Sequence, residues 1–151
     1  MSGKNVVRCF FGAALGMAAV SAWSATPFQI DTARNHGLLW LFTHQTGEGA
    51  WGSAQNTTVA DTASVLDALG VAGVRGPLFS RGYSWLSNAE ADSVDSLTRQ
   101  IAAVAAAGGD TSRLIAKLSS WRNSQLGWGA YYRYDSSFPD TALAVIAGVD
   151  C

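Results

Sequence analysis

The sequence predicts an all-α fold made of three helical hairpins. Six segments carry apolar residues at helical spacing, and no stretch after residue 25 alternates apolar and polar residues for long enough to form a strand. An internal repeat is the second observation. A large apolar residue stands four positions before a glutamine, and a glycine loop and a tryptophan follow, in Leu41–Trp51 and again in Trp121–Trp128. Each copy is followed by Asp-Thr-Ala, at 61–63 and 140–142, and such recurrence is typical of repeat architectures.

Each repeat unit predicts a helix, a loop that clasps the end of that helix, and a second helix. A glutamine at a helix end can donate its amide to the unpaired carbonyl groups, and its flat face can support an indole from the loop. Glycines allow the loop to turn sharply, because glycine adopts positive φ at no steric cost. We therefore expect one clasp from Gln45, Gly49 and Trp51 and a second from Gln125, Gly127 and Trp128, with Gly47 and Gly129 beside them.

The first hairpin is predicted over residues 31–70. Its first helix begins at Asp31, a suitable N-cap, and ends at Gln45. The second helix begins at Asp61 and continues to about Leu69. The Asp61 carboxylate can accept from the first free N–H groups of this helix, so we expect it to be the cap.

The second hairpin is predicted over residues 77–107. Pro77 stands at the favoured first position of a short helix that ends near Leu86. The next helix is the clearest in the chain, because its apolar residues recur at i, i+3, i+7 and i+10: Val94, Leu97, Ile101 and Val104. Ser87 stands where a clasp glutamine would be and no Gly-x-Trp loop follows, so the sequence does not predict an equal clasp here.

The third hairpin is predicted over residues 110–148. Asp110 or Thr111 caps a helix that runs to Gln125, and Asp140 caps a last helix that ends near Ala147. The loop between them is rich in aromatic residues. These either line a ligand surface, for which Tyr131, Tyr132 and Tyr134 are the candidates, or form the packed underside of the loop.

The two glutamine–tryptophan stretches resemble the QW repeat of the terpenoid cyclase and prenyltransferase superfamily. In that superfamily an outer helix ends at the glutamine, the tryptophan stacks on it, and an inner helix follows. The resemblance covers residues 31–151 and implies an α/α toroid of concentric outer and inner helices. A full toroid of the family has about six hairpins, so the three hairpins of this chain imply a partial toroid, about half of one.

The residues do not match the chemistries that this resemblance suggests. A class II cyclase needs the adjacent carboxylates of an Asp-x-Asp-Asp motif to keep one of them protonated. The nearest string here is Asp92-Ser93-Val94-Asp95, which we interpret as a solvated first turn. Zinc binding is not indicated either, because His36 and His44 lie two helical turns apart and Cys151 is terminal. A Cys-Gly-Glu-Gln thioester string is absent. We therefore predict no catalytic residue, cofactor or metal ligand.

The first 25 residues predict a signal peptide. Lys4 and Arg8 precede an apolar run over residues 9–20, and small residues follow to Ala25. The run is shorter than the roughly 20 residues that a permanent membrane anchor needs. We expect cleavage after Ala22 or Ala25, export to the periplasm or the exterior, and a mature domain over residues 26–151.

The mature chain would carry eight basic and eleven acidic residues, a formal charge of −3. Its arginines are scattered singly, which argues against a nucleic-acid partner. With Cys151 as its single cysteine, no disulfide can form within the mature chain.

Two hypotheses about function follow. In the first, the chain is an exported, non-catalytic binding or interaction module for an apolar small molecule or a protein partner, able to self-associate through its exposed repeat ends. In the second, it is the N-terminal part of a terpene cyclase-like enzyme that acts on isoprenoid substrates.

Overall fold

A computed structural model describes residues 25–54 and 56–148 and contains six α-helices in that part of the chain. In chain order they are α1 (Pro27–Thr43), α2 (Thr58–Val71), α3 (Pro77–Asn88), α4 (Val94–Ala106), α5 (Ser112–Ser120) and α6 (Phe138–Ile146). The described residues form no strand, only one isolated bridge between Ser93 and Tyr131. The all-α prediction is therefore confirmed. The predicted signal peptide, apart from Ala25, lies outside the described residues, and so does Cys151.

Helix α4 is the centre of the structure. It packs against α2, α3, α5 and α6, and its predicted apolar stripe of Val94, Leu97, Ile101 and Val104 is buried throughout. Helices α2, α4 and α6 form a row in chain order, with α3 against α2 and α4 and with α5 against α4. The buried side chains of this row form a continuous core with Trp51, Leu118 and Trp128. Burial of this apolar surface is the main source of stability.

Helix α1 is attached differently, because none of its residues is buried. A guanidinium nitrogen of Arg34 donates to the carbonyl of Ala72, just beyond the end of α2, at 2.5 Å. Leu38 and Leu41 are partly buried against the core, whereas Leu39 and Phe42 are exposed. The helix is therefore held mainly through its C-terminal end.

The predicted N-caps at Asp31, Asp61 and Asp140 are wrong. Helix α1 begins at Pro27 after Thr26, whose side chain forms a capping box with Gln29. A residue with a side-chain hydroxyl precedes each of α1, α2 and α6. In α1 and α6 a proline at the start of the helix also fixes φ in the first turn.

Asp61 and Asp140 lie in the first turns of α2 and α6 instead. Ser137 caps α6 by accepting from the backbone N–H of Asp140 at 3.2 Å, and its hydroxyl donates to the Asp140 carboxylate. Thr57 precedes α2 and donates to the Asp61 carboxylate at 2.9 Å. A carboxylate in a first turn is still favoured by the helix dipole.

The predicted end of α5 at Gln125 is also wrong. The helix stops at Ser120, and a hydrogen-bonded loop that contains Gln125 follows.

None of the helices in residues 25–54 and 56–148 combines the length and the hydropathy that a bilayer-spanning helix requires.

Candidate functional site

Trp51 closes the first clasp by hydrogen bonds at both its side chain and its backbone. Its side chain is only 3% exposed, and the indole N–H donates to the carbonyl of Leu41 at 2.8 Å. The Trp51 backbone N–H donates to the hydroxyl of Thr62 at 3.0 Å, and that hydroxyl donates back to the Trp51 carbonyl at 3.1 Å. The loop is thereby tied to both α1 and α2.

Trp128 makes the same set of hydrogen bonds in the second clasp. It is 1% exposed, and its indole N–H donates to the carbonyl of Leu118 at 2.7 Å. Its backbone N–H and carbonyl exchange bonds of 3.1 and 3.2 Å with the hydroxyl of Thr141. Thr62 and Thr141 are the central residues of the two Asp-Thr-Ala strings, so the threonine of that motif joins loop to helix.

The two clasp glutamines do not occupy equivalent positions. Gln45 donates to the carbonyls of Gly49 and Leu78 at 2.9 Å each, and its oxygen accepts from Arg81 of α3. Gln125 is exposed and uses its oxygen to accept from the backbone N–H of Ser136 at 2.9 Å. The expectation that each glutamine donates to the last carbonyls of its own helix is wrong, because α1 and α5 end before the glutamines and the indoles reach those carbonyls instead.

Both clasp glycines are required by close approach. Gly49 has φ of 106°, and a Cβ there would lie 2.6 Å from the carbonyl oxygen of Arg81. A Cβ on Gly127 would lie 2.5 Å from the Ser136 hydroxyl. The positive φ of the second loop belongs to its neighbour Leu126, at 64°.

The middle hairpin has a clasp of its own that the sequence did not reveal. Gln100 of α4 is fully buried, and its amide donates to the carbonyls of Leu86 at 2.6 Å and Ala89 at 2.9 Å. Leu41, Leu86 and Leu118 each stand two residues before the last residue of α1, α3 and α5. A buried side-chain donor therefore meets the equivalent carbonyl near the end of α1, α3 and α5. For α1 and α5 the donor is a tryptophan of the following loop, whereas for α3 it comes from the following helix.

A cleft of about 550 Å³ lies beside the first clasp, between the end of α1 and α2. We call it the aromatic cleft, and its lining residues are Trp40, His44, Trp51, Gly52, Ser53, Asp61, Ser64 and Val65. Trp40 and His44 stack with their ring centres 4.1 Å apart. Gly52 has φ of 113°, and a Cβ there would lie 2.7 Å from the Asp61 carboxylate. The loop backbone therefore passes directly beside that carboxylate.

The hydrogen bonds of the cleft determine which of its polar atoms are free. Nδ1 of His44 lies 2.8 Å from the carbonyl of Trp40, and a carbonyl can only accept, so the neutral ring carries its proton on Nδ1 and leaves Nε2 as an acceptor. The Ser64 hydroxyl donates to the carbonyl of Ala60 at 2.9 Å. One oxygen of Asp61 accepts from Thr57.

The predicted tyrosine surface lies on the outside of the second clasp loop. Tyr131, Tyr132 and Tyr134 are between 45% and 60% exposed, so they are not the packed underside of the loop. Tyr131 and Tyr134 meet edge to face at 5.3 Å, and Arg133, with φ of 69°, lies over Tyr132 at 5.0 Å. The carbonyl of Ala130 accepts from the first N–H of α4, which fixes this loop against the central helix.

The remaining candidates are not brought together. His36 is exposed on α1, Asp92 is exposed, and Asp95 pairs with Arg99 of the same helix at 2.9 Å. Within residues 25–54 and 56–148, no three His, Cys, Asp or Glu side chains gather as metal ligands.

Comparison with known proteins gives no further guide to function. No protein-family model matches the chain, and no curated protein and no solved structure matches it either. The geometry of the clefts and surfaces is therefore the basis for a proposal.

Proposed function

We propose that this chain is an exported, non-catalytic binding domain that holds a small organic molecule in the aromatic cleft. The observation that carries the proposal is the cleft itself. Its volume of about 550 Å³ falls within the range of small-molecule sites, and it joins aromatic walls to a few polar groups. Trp51 is fixed by the clasp, which gives the cleft one rigid wall.

A binding role is favoured over catalysis by the surroundings of Asp61. Protonation of an alkene needs a carboxylic acid kept neutral in a site closed to water. Asp61 is exposed and accepts from Thr57, and Trp40 beside it is 58% exposed. A carboxylate in such an open site suits recognition of a ligand.

A partial α/α toroid of three hairpins is the architecture that we propose for this domain. Two observations support it: α4 packs between α2 and α6, with α3 against α2 and α4 and α5 against α4, and Trp51 and Trp128 make matching hydrogen bonds. Export is proposed from the N-terminal sequence, and mass spectrometry of the extracytoplasmic protein should find a start near Trp23 or Thr26. Intact Met1 found in the cytoplasm alone would contradict export.

Calorimetric titration of the purified protein tests the binding role. We expect at least one member of a panel of isoprenoid alcohols, aromatic alcohols and amines to bind saturably. Trp40→Ala should weaken that binding at least tenfold, or about 1.4 kcal/mol, at an unchanged unfolding midpoint. Tyr134→Ala is the matched control, since it removes an equally exposed aromatic ring outside the cleft. Equal loss in both variants would contradict the cleft as the site.

The enzyme alternative is favoured by one observation, the position of Asp61 in an aromatic-walled cleft. It is tested by incubating the protein with squalene or isoprenyl diphosphates beside an Asp61→Asn and Asp140→Asn double variant. Turnover by the parent protein that the variant lacks would replace the binding role with catalysis.

Self-association is a second proposal, supported by exposed apolar side chains at both ends of the repeat. Leu39 and Phe42 are exposed on α1, and Leu126, Phe138 and Ile146 are exposed around a groove of about 660 Å³ beside α6. Sedimentation velocity over a range of concentrations tests it, and the Ile146→Glu variant should shift the protein toward monomer. A parent protein that stays monomeric at all concentrations would contradict this proposal.

A further inference from the structure

Three side chains that line the aromatic cleft already donate a hydrogen bond to a backbone carbonyl. The Nδ1–H of His44 donates to the carbonyl of Trp40, and the Ser64 hydroxyl donates to the carbonyl of Ala60. The indole N–H of Trp51 is likewise used by Leu41. What these groups and Asp61 still offer to a ligand is a ring nitrogen, a hydroxyl oxygen and a carboxylate.

The aromatic cleft is negatively charged. Asp61 is the single acidic residue of its lining, and that lining contains no lysine or arginine. Elsewhere in the described residues, Glu90 is paired with Arg113 and Lys117, and Asp95 with Arg99, whereas Asp61 enters no ion pair with residues 25–54 or 56–148. An anionic ligand would therefore be repelled. A neutral apolar ligand would take water away from the Asp61 carboxylate without replacing it, which is costly.

We propose that the ligand of the aromatic cleft carries a primary ammonium group on an apolar body. The ammonium would donate its three N–H groups to the carboxylate of Asp61 and to the free oxygen and nitrogen acceptors beside it. The apolar body would lie against Trp40, whose indole is also a favourable neighbour for a cation. This inference rests on the proposed binding function and adds the chemical class of the ligand.

Three probes of one shape separate the inference from the proposed function. They are 2-phenylethylamine, the neutral 2-phenylethanol and the anionic phenylacetate, each titrated at pH 7 and followed by amide NMR shifts of the parent protein. We expect the amine to bind at least tenfold more tightly than the alcohol, phenylacetate to bind most weakly, and the shifts to cluster at His44, Asp61 and Ser64.

Two variants test the role of the carboxylate. Asp61→Asn should reduce the preference for the amine over the alcohol to less than about threefold, because the amide keeps the shape and removes the charge. Asp67→Asn, an exposed aspartate on the same helix outside this cleft, should leave the preference unchanged. Trp40→Ala should weaken both amine and alcohol, which provides a second readout if Asp61→Asn unfolds.

Each other outcome has a distinct meaning. Equal binding of amine and alcohol, or a preference that persists in Asp61→Asn, would overturn the ammonium inference and leave the binding function standing. Failure of all three probes to shift the cleft amides would overturn the ammonium inference, and failure of the isoprenoid alcohols as well would overturn the binding function.

Discussion

The indole N–H of Trp51 and the carbonyl of Leu41 form a 2.8 Å hydrogen bond that joins a loop to the last turn of α1. The carbonyl groups of a last helical turn lack an ordinary partner further along the helix, and the Leu41 carbonyl receives only a long 3.4 Å bond from the backbone N–H of His44. The indole of Trp51 supplies the shorter, buried bond to this carbonyl. The same residue also fills the core beside α2 and α3. One side chain thus connects the end of α1, which has no buried residue of its own, to the rest of the protein.

Trp51→Ala and Trp128→Ala should each lower the free energy of unfolding by about 3–5 kcal/mol, as truncation of a buried aromatic side chain does. Both variants also remove the indole donor of a leucine carbonyl, which then keeps only a backbone N–H donor, from His44 at 3.4 Å or from Trp121 at 3.1 Å. Urea denaturation of the purified variants measures the loss. Trp40→Ala is the control, because its ring is 58% exposed and its removal should cost less than about 1 kcal/mol. A loss that small at Trp51 or Trp128 would contradict the clasp.

Thr62→Val should cost about 1–3 kcal/mol, because it keeps the side-chain shape but leaves the buried N–H and carbonyl of Trp51 without partners. Thr141→Val should cost less, since Thr141 is only half-buried and water can replace part of the lost bonding. Chemical denaturation again measures both changes. The control is Thr43→Val, which removes an exposed hydroxyl that bonds to carbonyls of its own helix and to the neighbouring His44 ring. Equal losses at Thr43 and Thr62 would argue against the threonine link.

The parts of this fold that were predictable from sequence are those that depend on local pattern. The α4 stripe is buried as its spacing predicted, and Trp51 and Trp128 lie in the core. The helix starts were misplaced because Asp61 and Asp140 carry the strongest capping side chains of their regions. The chain nevertheless begins α2 three residues before Asp61, after Thr57, and begins α6 two residues before Asp140, after Ser137.

The parts that could not be predicted depend on which helices meet. Gln45 bonds to Leu78, which lies 33 residues away, and nothing in the local sequence indicates that α3 crosses there. Gln100 acts in place of a clasp tryptophan. No glycine loop follows it as in the two repeats, so no sequence motif indicates this role. The aromatic cleft combines the end of α1 with Asp61 of α2, and only the tertiary structure brings these together.

Gly82→Ala and Gly37→Ala should change stability in opposite directions, although both glycines lie within helices. A Cβ on Gly82 would lie 2.5 Å from the Trp51 ring and 3.1 Å from Leu66, so we expect a net loss of about 1–3 kcal/mol. A Cβ on Gly37 has no neighbour within 4 Å, so alanine should stabilise by about 0.5–1 kcal/mol through helix propensity. Thermal melts under one buffer condition compare them. Stabilisation by both substitutions would show that α3 does not approach Trp51 closely.

Glu90 should make a small, pH-dependent contribution to stability. The hydrogen bond and the charge of Lys117, followed by those of Arg113, hold the pKa of Glu90 below its ordinary value of 4.5. A lowered pKa means that the stabilisation is present above pH 4.5 and is lost as the pH falls through the folded-state value. The Glu90 and Arg113 side chains are largely exposed, so Glu90→Gln should cost at most about 1 kcal/mol at pH 7.

Denaturation of the parent protein and Glu90→Gln at a series of pH values checks this contribution. The difference between them should shrink below pH 4.5 and should also fall with added salt. A difference that grows on acidification would mean that the carboxylate is not held by Lys117 and Arg113.

Gln100 offers the sharpest test of the middle clasp, because one atom of its amide donates to two carbonyls while its buried oxygen has no partner among the described residues. Gln100→Leu should cost about 1–3 kcal/mol, because it leaves the Ala89 carbonyl unpaired and leaves the Leu86 carbonyl with only a 3.3 Å bond from the backbone N–H of Ala89. Gln100→Glu should cost more at pH 7, since it places a buried carboxylate against those carbonyl oxygens.

Burial raises the pKa of such a carboxyl group, and its protonated form can donate one hydrogen bond. The deficit of Gln100→Glu should therefore shrink as the pH falls, which urea denaturation across a pH series measures. Gln125→Glu is the matched control, because Gln125 is exposed and uses its oxygen, an atom that glutamate keeps. Its substitution should cost less than about 0.5 kcal/mol at every pH. If Gln100→Glu were as mild as Gln125→Glu at pH 7, Gln100 could not be the buried donor that closes the middle hairpin.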